Sequence, residues 1–272
     1  MNIDQSLIFE SFLKGIFDFD RRKFANPREM IGKLKSMNFR VTVWIHPFVS
    51  CHTWRFVQYW RRGLLIRVDL ISSLMNLLLE RSRYLQTIFD QILSNSAGQI
   101  VINLFKTIAD RFFCTLPGIS LWWNGLAGVL DFTNQATCEE YRSELKKFQQ
   151  TYDVDSFKFD AGEVNWLPIA GRFANASCQS MITGPDHGMT TPALYPYLYA
   201  NIADRLDSNL HMQEVRVGYR TQHLPVFVRI IDKDSNWTYN NGLKSLLPSV
   251  FNLSLLGYPF ILPDMVSDER LN

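Results

Sequence analysis

Three times along this chain a helix-forming pattern runs into a short β-branched or aromatic stretch, and each stretch stops at polar residues. The first unit joins a helix over 27–37 to Phe39-Arg-Val-Thr-Val-Trp-Ile45, which ends at His46-Pro47. The second joins a charged helix over 137–151, with Glu and Lys at i,i+4 spacing, to the strand over 156–160. The third places a helix over 192–206 before Gln213-Glu-Val-Arg-Val-Gly-Tyr219, and a further strand over 226–231 follows soon after. Strands that alternate with helices and read as nearly continuous apolar runs predict a parallel sheet covered on both faces. No strand is followed by a glycine-rich phosphate loop, so a barrel ranks above a dinucleotide fold.

A length of 272 residues suits one large domain or most of a (β/α) barrel, which takes roughly 250 residues. Lys and Arg total 28 against 26 Asp and Glu, so composition argues against nucleic acid and for a neutral ligand. The 14% aromatic content exceeds what core packing alone usually demands and suits stacking on sugar or apolar faces. Cys51, Cys114, Cys138 and Cys178 lack metal-ligand spacing, and neither a metal nor a cofactor is expected. The N-terminus shows no signal-peptide pattern. The Leu/Ile-rich run over 63–79 is interrupted by Arg67 and Asp69, and reads as an amphipathic helix rather than a membrane span. Residues 68–119, helix-like over 70–105, break the rhythm and read as an insertion.

The strand over 156–160 ends on Asp160, followed by Ala161, Gly162 and Glu163. Lys158 and Asp160 share a strand face, so the ammonium can hold the carboxylate ionised and oriented. That is what a covalent glycosidase nucleophile requires, although Asp at a strand end is also ordinary turn chemistry. A second strand runs from Arg229 into Asp232, Lys233 and Asp234, with Trp237 beyond. Two strand-end carboxylates answer the need of a retaining glycosidase for a nucleophile and a proton donor about 5–5.5 Å apart. Arg229 is a candidate sugar ligand or an ion-pair partner, and Trp237 a stacking wall or a rim residue. Trp44, His46, Trp122, Trp123, Asn124, Asp131 and Asp264 each lie at or just past a strand end, as groups at a barrel's catalytic face do.

In their order and wording, Val41-Thr-Val-Trp-Ile-His-Pro-Phe48, Trp122-Trp-Asn-Gly125, Phe157-Lys-Phe-Asp-Ala-Gly-Glu163, Arg229-Ile-Ile-Asp-Lys-Asp-Ser-Asn-Trp237 and Leu256-Gly-Tyr-Pro-Phe-Ile-Leu-Pro-Asp-Met265 resemble glycoside hydrolase family 31, and within it an α-galactosidase-like branch. The resemblance implies a (β/α)8 TIM barrel, here incomplete at both ends and interrupted by a helical insertion at about 68–119. It implies a retaining α-glycosidase acting on α-galactosides, with Asp160 as nucleophile and Asp232 as acid/base. Other members of the family carry the acid/base near the position of Asn240. The substrate-binding set is then Trp44, His46, Trp123, Asn124, Asp131, Lys158, Glu163, Arg229, Trp237 and Asp264. The branch is lumenal, in the endoplasmic reticulum or secretory pathway, which the glycosylation triplets at Asn175, Asn236 and Asn252 suit. The missing strands also admit a second reading, an inactive module that binds glycans or a partner without turnover.

Overall fold

The structure is a computed structural model, described for residues 18–68, 116–168, 171–172, 192–206 and 212–264. The first helix, α1 (Pro27–Ser36), starts on an Asn26 cap with Pro27 in its first turn, and carries Glu29 near its N-terminus and Lys33 and Lys35 near its C-terminus. Those charges complement the helix dipole. It leads into β1 (Thr42–Ile45), a strand buried over its last three residues.

The same logic repeats at α3 (Gln135–Tyr152) and β6 (Ser156–Phe159). Tyr141, Leu145, Phe148 and Tyr152 recur at helical spacing and are buried, and the helix stops at Asp153 in the left-handed conformation (φ 60°). All four residues of β6 are buried, as a strand covered on both faces must be. Helix α4 (Leu194–Leu206) follows, then β8 (Glu214–Val215), β9 (Phe227–Arg229), α5 (Leu246–Leu255) and β10 (Ile261–Leu262). The five strands pair in the order β1-β6-β8-β9-β10, every pair parallel. Parallel strands in chain order with intervening helices are part of a (β/α) barrel, and their C-terminal ends lie on one side. The core beneath is dense with rings: Phe132 stacks on Tyr195 and Tyr199, and Phe159 meets Tyr199 edge-on.

Three features depart from the sequence reading. The chain also forms an antiparallel sheet, β2 (Phe48–Ser50) with β5 (Gly125–Val129) and β4 (Ile119–Trp122), in the order β2-β5-β4. The Trp122-Trp123-Asn124-Gly125 motif is therefore a hairpin turn, closed by Gly125 at φ 103°, and not the end of a barrel strand. Second, residues 63–68 do not start a helix. Helix α2 (Trp54–Arg61) stops at Gly63 (φ 69°), after which Leu64, Leu65 and Ile66 run extended and buried into β3 (Arg67–Val68). An unbroken apolar triplet has no polar face for a surface helix to show, and Ile66 N–H instead donates to Val129 O at 2.9 Å. β3 pairs antiparallel with β7 (Gly171–Arg172). Third, the strand expected over 213–219 is confined to β8, two residues long, and β9 follows without a helix between, as the sequence reading has it. The expected helical stretch at 70–105 lies outside the described residues, whereas Ile119 belongs to the hairpin. Among the described residues no helix is long and apolar enough to cross a membrane.

Candidate active site

The C-terminal end of each parallel strand delivers a polar side chain to one buried cluster. Beyond β6 the chain turns sharply. Ala161 takes a left-handed conformation (φ 57°), Gly162 follows at φ 86°, and Ala161 N–H donates to the Asp160 carboxylate at 2.9 Å. A side chain on Gly162 would meet the Tyr199 ring at 2.4 Å, so the turn closes only around glycine. Tyr199 in turn donates its hydroxyl proton to Asp160 O at 3.0 Å, locking the nucleophile candidate's backbone from the helical layer.

The buried Asp160 carboxylate is held asymmetrically. Oδ1 takes Ala161 N–H, Arg229 Nη2 at 2.6 Å and Arg216 Nη1 at 3.2 Å. Oδ2 accepts the indole N–H of Trp44, from β1, at 2.6 Å. Burial alone would push the Asp160 carboxyl upward, but the Arg229 and Arg216 guanidiniums, the Trp44 hydrogen bond and the Lys158 charge together hold it below the usual range. Asp160 is therefore ionised at neutral pH.

Arg229, at the end of β9, links the cluster. Beyond Asp160 it reaches Asp232 through Nη1 at 3.1 Å, pairs with Asp264 beyond β10, and lies 2.9 Å from Glu214 on β8. The Glu214 contact is close in charge but misaligned for a hydrogen bond. Burial raises the Glu214 carboxyl, with Arg229 and Lys158 opposing. Lys158 stands 3.7 Å from Asp264, and its ammonium is depressed first by burial and then by Arg229. Glu163 accepts from Arg216 Nε at 2.5 Å, which steadies the guanidinium on Asp160. Asp232 is half exposed, and Asn241 donates to its backbone carbonyl at 3.0 Å.

One wall of the cluster is aromatic. Trp44 lies 4.8 Å from His46 and stacks at 6.5 Å on Trp122, which the hairpin brings in. Trp123 sits 6.1 Å from Trp44 yet stays mostly exposed, at the mouth. His46 Nδ1 accepts Phe48 N–H at 3.1 Å, leaving the ring proton on Nε2. Burial drives the His46 pKa down to about 3, against a smaller upward pull from Asp160, so it is neutral.

The sequence-derived set thus divides. Trp44, His46, Lys158, Asp160, Glu163, Arg229, Asp232 and Asp264 share one network of contacts, and Trp123 borders it. Asn124 sits half-buried in the hairpin turn. Asp131 belongs to a turn before α3: its Oδ1 accepts from Thr133 N–H at 3.0 Å and from the Thr133 hydroxyl. Trp237 is exposed on the loop beyond Asp232. Arg216, Glu214 and Tyr199 escaped the sequence reading. The signal for two of them was present, because Gln213-Glu-Val-Arg-Val puts two charges at period 2 on a strand that should be apolar. Among the described residues, no group of three or more His, Cys, Asp and Glu side chains is arranged to hold a metal ion.

Residues 3–266 match the sequence pattern of the glycosyl hydrolases family 31 TIM-barrel domain. The chain is 34% identical over 257 residues to the myogenesis-regulating glycosidase of Mus musculus, an alignment covering 94% of this chain and 28% of that protein. It superposes on the catalytic subunit complex of endoplasmic reticulum glucosidase II (TM-score 0.63, 14% identity, 97% of this chain and 24% of that one). It also superposes on an α-xylosidase from a soil metagenome, solved with xylose (TM-score 0.62, 16% identity, 96% and 31%). The chain spans about a quarter to a third of each of these proteins.

Proposed function

The chain belongs to glycoside hydrolase family 31, and from that premise we propose that it provides the catalytic centre of a retaining α-glycosidase acting on α-galactosides. One observation carries the reading: Asp160 and Asp232, from two strand ends, sit on adjacent nitrogens of the single Arg229 guanidinium. They are thereby brought to one site while keeping different environments. Asp160 is buried, ionised and oriented by a full set of donors, which suits a nucleophile. Its Oδ2 carries one hydrogen bond where Oδ1 carries two and the Arg216 ion pair, so Oδ2 keeps the lone pair for attack on the anomeric carbon. Asp232, half exposed to solvent, is the group assigned to protonate the leaving oxygen and then to deprotonate the water that hydrolyses the glycosyl-enzyme.

The surroundings favour the positive charge that develops on the sugar. Asp160, Glu163, Glu214, Asp232 and Asp264 oppose Arg216, Arg229 and Lys158, leaving the cluster with excess formal negative charge. Such a field stabilises an oxocarbenium-like transition state. The exposed Trp123 offers an apolar face to the sugar ring. The Asn236 and Asn252 side chains are exposed, which supports a lumenal, glycosylated protein; Asn175 lies outside the described residues.

The test is covalent trapping. A 2-deoxy-2-fluoro-α-galactoside with an activated leaving group should label the protein on Asp160, as read by peptide mass mapping. Aryl α-galactoside should be hydrolysed in preference to aryl α-glucoside, and Asp160→Asn should abolish both activities. Absence of label from Asp160, with hydrolysis insensitive to Asp160→Asn, overturns the assignment.

A further inference from the structure

Between α3 and α4, in the helical layer, lies a solvent-connected cleft of about 100 Å³ that shares no residue with the Asp160 cluster. That volume is below the roughly 300–1,000 Å³ of drug-sized sites and leaves room for one small body only. Phe132, Leu198 and Ile202 give it a buried apolar floor. Arg142 on α3 and Arg205 on the facing α4 line the same space.

The electrostatics of this cleft are unbalanced. Arg142 Nε is shielded from solvent and has no hydrogen-bond partner among the described residues. The one carboxylate present, Glu139, accepts the Gln135 amide at 2.7 Å. Two guanidiniums therefore face a single, already engaged anion. Leaving a buried donor without an acceptor is destabilising, more so for a charged group, and native folds rarely tolerate it without a reason.

We propose that the cleft between α3 and α4 binds a small organic carboxylate bearing an apolar body about the size of one ring. A planar carboxylate matches the guanidinium fork and supplies the acceptor that Arg142 Nε lacks. The apolar floor selects against a bare inorganic anion, which would leave Phe132, Leu198 and Ile202 uncovered.

The experiment is a ¹⁹F NMR titration of the full chain with 4-fluorophenylacetate, using the neutral 4-fluorophenylacetamide and inorganic phosphate as comparisons. The acid should bind, with the amide and phosphate each at least tenfold weaker. Arg142→Gln and Arg205→Gln should each weaken the acid at least tenfold at unchanged Tm, whereas Asp160→Asn should leave its binding intact. If Arg142→Gln does not fold, Arg142→Lys keeps the charge without the fork and should still lose affinity. Equal binding of acid and amide, displacement by phosphate at similar concentration, indifference to the arginine variants, or no acid binding up to about 10 mM overturns the proposal.

Discussion

Arg229 Nη2 donates to Asp160 Oδ1 at 2.6 Å, and both side chains are buried. The contact joins the ends of β9 and β6, so the parallel register and the charge network fix each other. Removing the guanidinium would deprive Asp160, Glu214 and Asp264, three buried carboxylates, of the cation they share.

Arg229→Met should therefore be severely destabilising, because breaking a buried ion pair from one side costs about 3–5 kcal/mol. Arg229→Lys should recover part of this, since one ammonium cannot serve Asp160 and Asp232 through separate nitrogens. The sign with pH follows from the depressed Asp160 pKa. Its stabilisation is fully present above the ordinary carboxylate range and is lost as pH falls through the lower folded value. Urea unfolding at pH 7 and pH 3 should show the penalty of Arg229→Met shrinking at the lower pH. An equal penalty at both would refute the ionic account.

Trp44→Phe isolates the hydrogen bond to Asp160 Oδ2. The variant keeps much of the ring that packs against His46 and Trp122 but loses the donor at 2.6 Å. A hydrogen bond to a charged acceptor is worth about 1.5–3 kcal/mol, or roughly tenfold to a hundredfold in rate if the bond is needed at the transition state. Single-turnover trapping by the fluoro-galactoside should slow by that factor. A change confined to binding, with the trapping rate untouched, would show that the indole only packs.

Much of this site was legible in the sequence because strand-end chemistry is local. Asp160, Arg229 and Asp232 each end an apolar run, and a carboxylate or guanidinium there breaks the pattern visibly. What stayed hidden was pairing. The hairpin of Ile119–Trp122 with Gly125–Val129 depends on β2 as a third strand, brought from some seventy residues earlier, and no local period shows that. Arg216 was obscured differently, since its strand was recognised but its charges were read as part of the strand rather than as groups aimed at Asp160. Asp131 shows the opposite hazard, a strand-end carboxylate whose hydrogen bonds to Thr133 shape a turn.

Gly162→Ala tests the turn that aims Asp160. The added methyl would enter the Tyr199 ring, and the backbone already sits at φ 86°, where a side chain costs about 1–2 kcal/mol. Overpacking adds about 1–3 kcal/mol. Because Tyr199 also holds Asp160 O, the ring cannot retreat without releasing the nucleophile candidate. The variant should lose about 2–5 kcal/mol in urea unfolding. Paired with Tyr199→Ala, which vacates the space, the glycine substitution should cost less than it does alone. Strict additivity would mean that the clash is relieved elsewhere.

His46 should dominate the acid limb of stability between pH 6.5 and 4.5. Its folded pKa, lowered by burial to about 3, lies far under the ordinary 6.5, so the unfolded chain takes up a proton across this window while the folded chain does not. Stability contributed by the neutral ring is complete above pH 6.5 and falls by about 1.4 kcal/mol per pH unit as the medium acidifies toward the folded value. Asp160 cannot produce this slope, because its own pKa is held below the ordinary carboxylate range. His46→Gln removes the titration while leaving a side-chain oxygen for Phe48 N–H. The variant should be less stable at pH 7 through lost packing against Trp44 and Trp122, yet its unfolding free energy should vary less with pH over the window. Parallel pH profiles for the two proteins would mean that the imidazole protonates within the fold, and the buried, neutral His46 beside Asp160 would have to be abandoned.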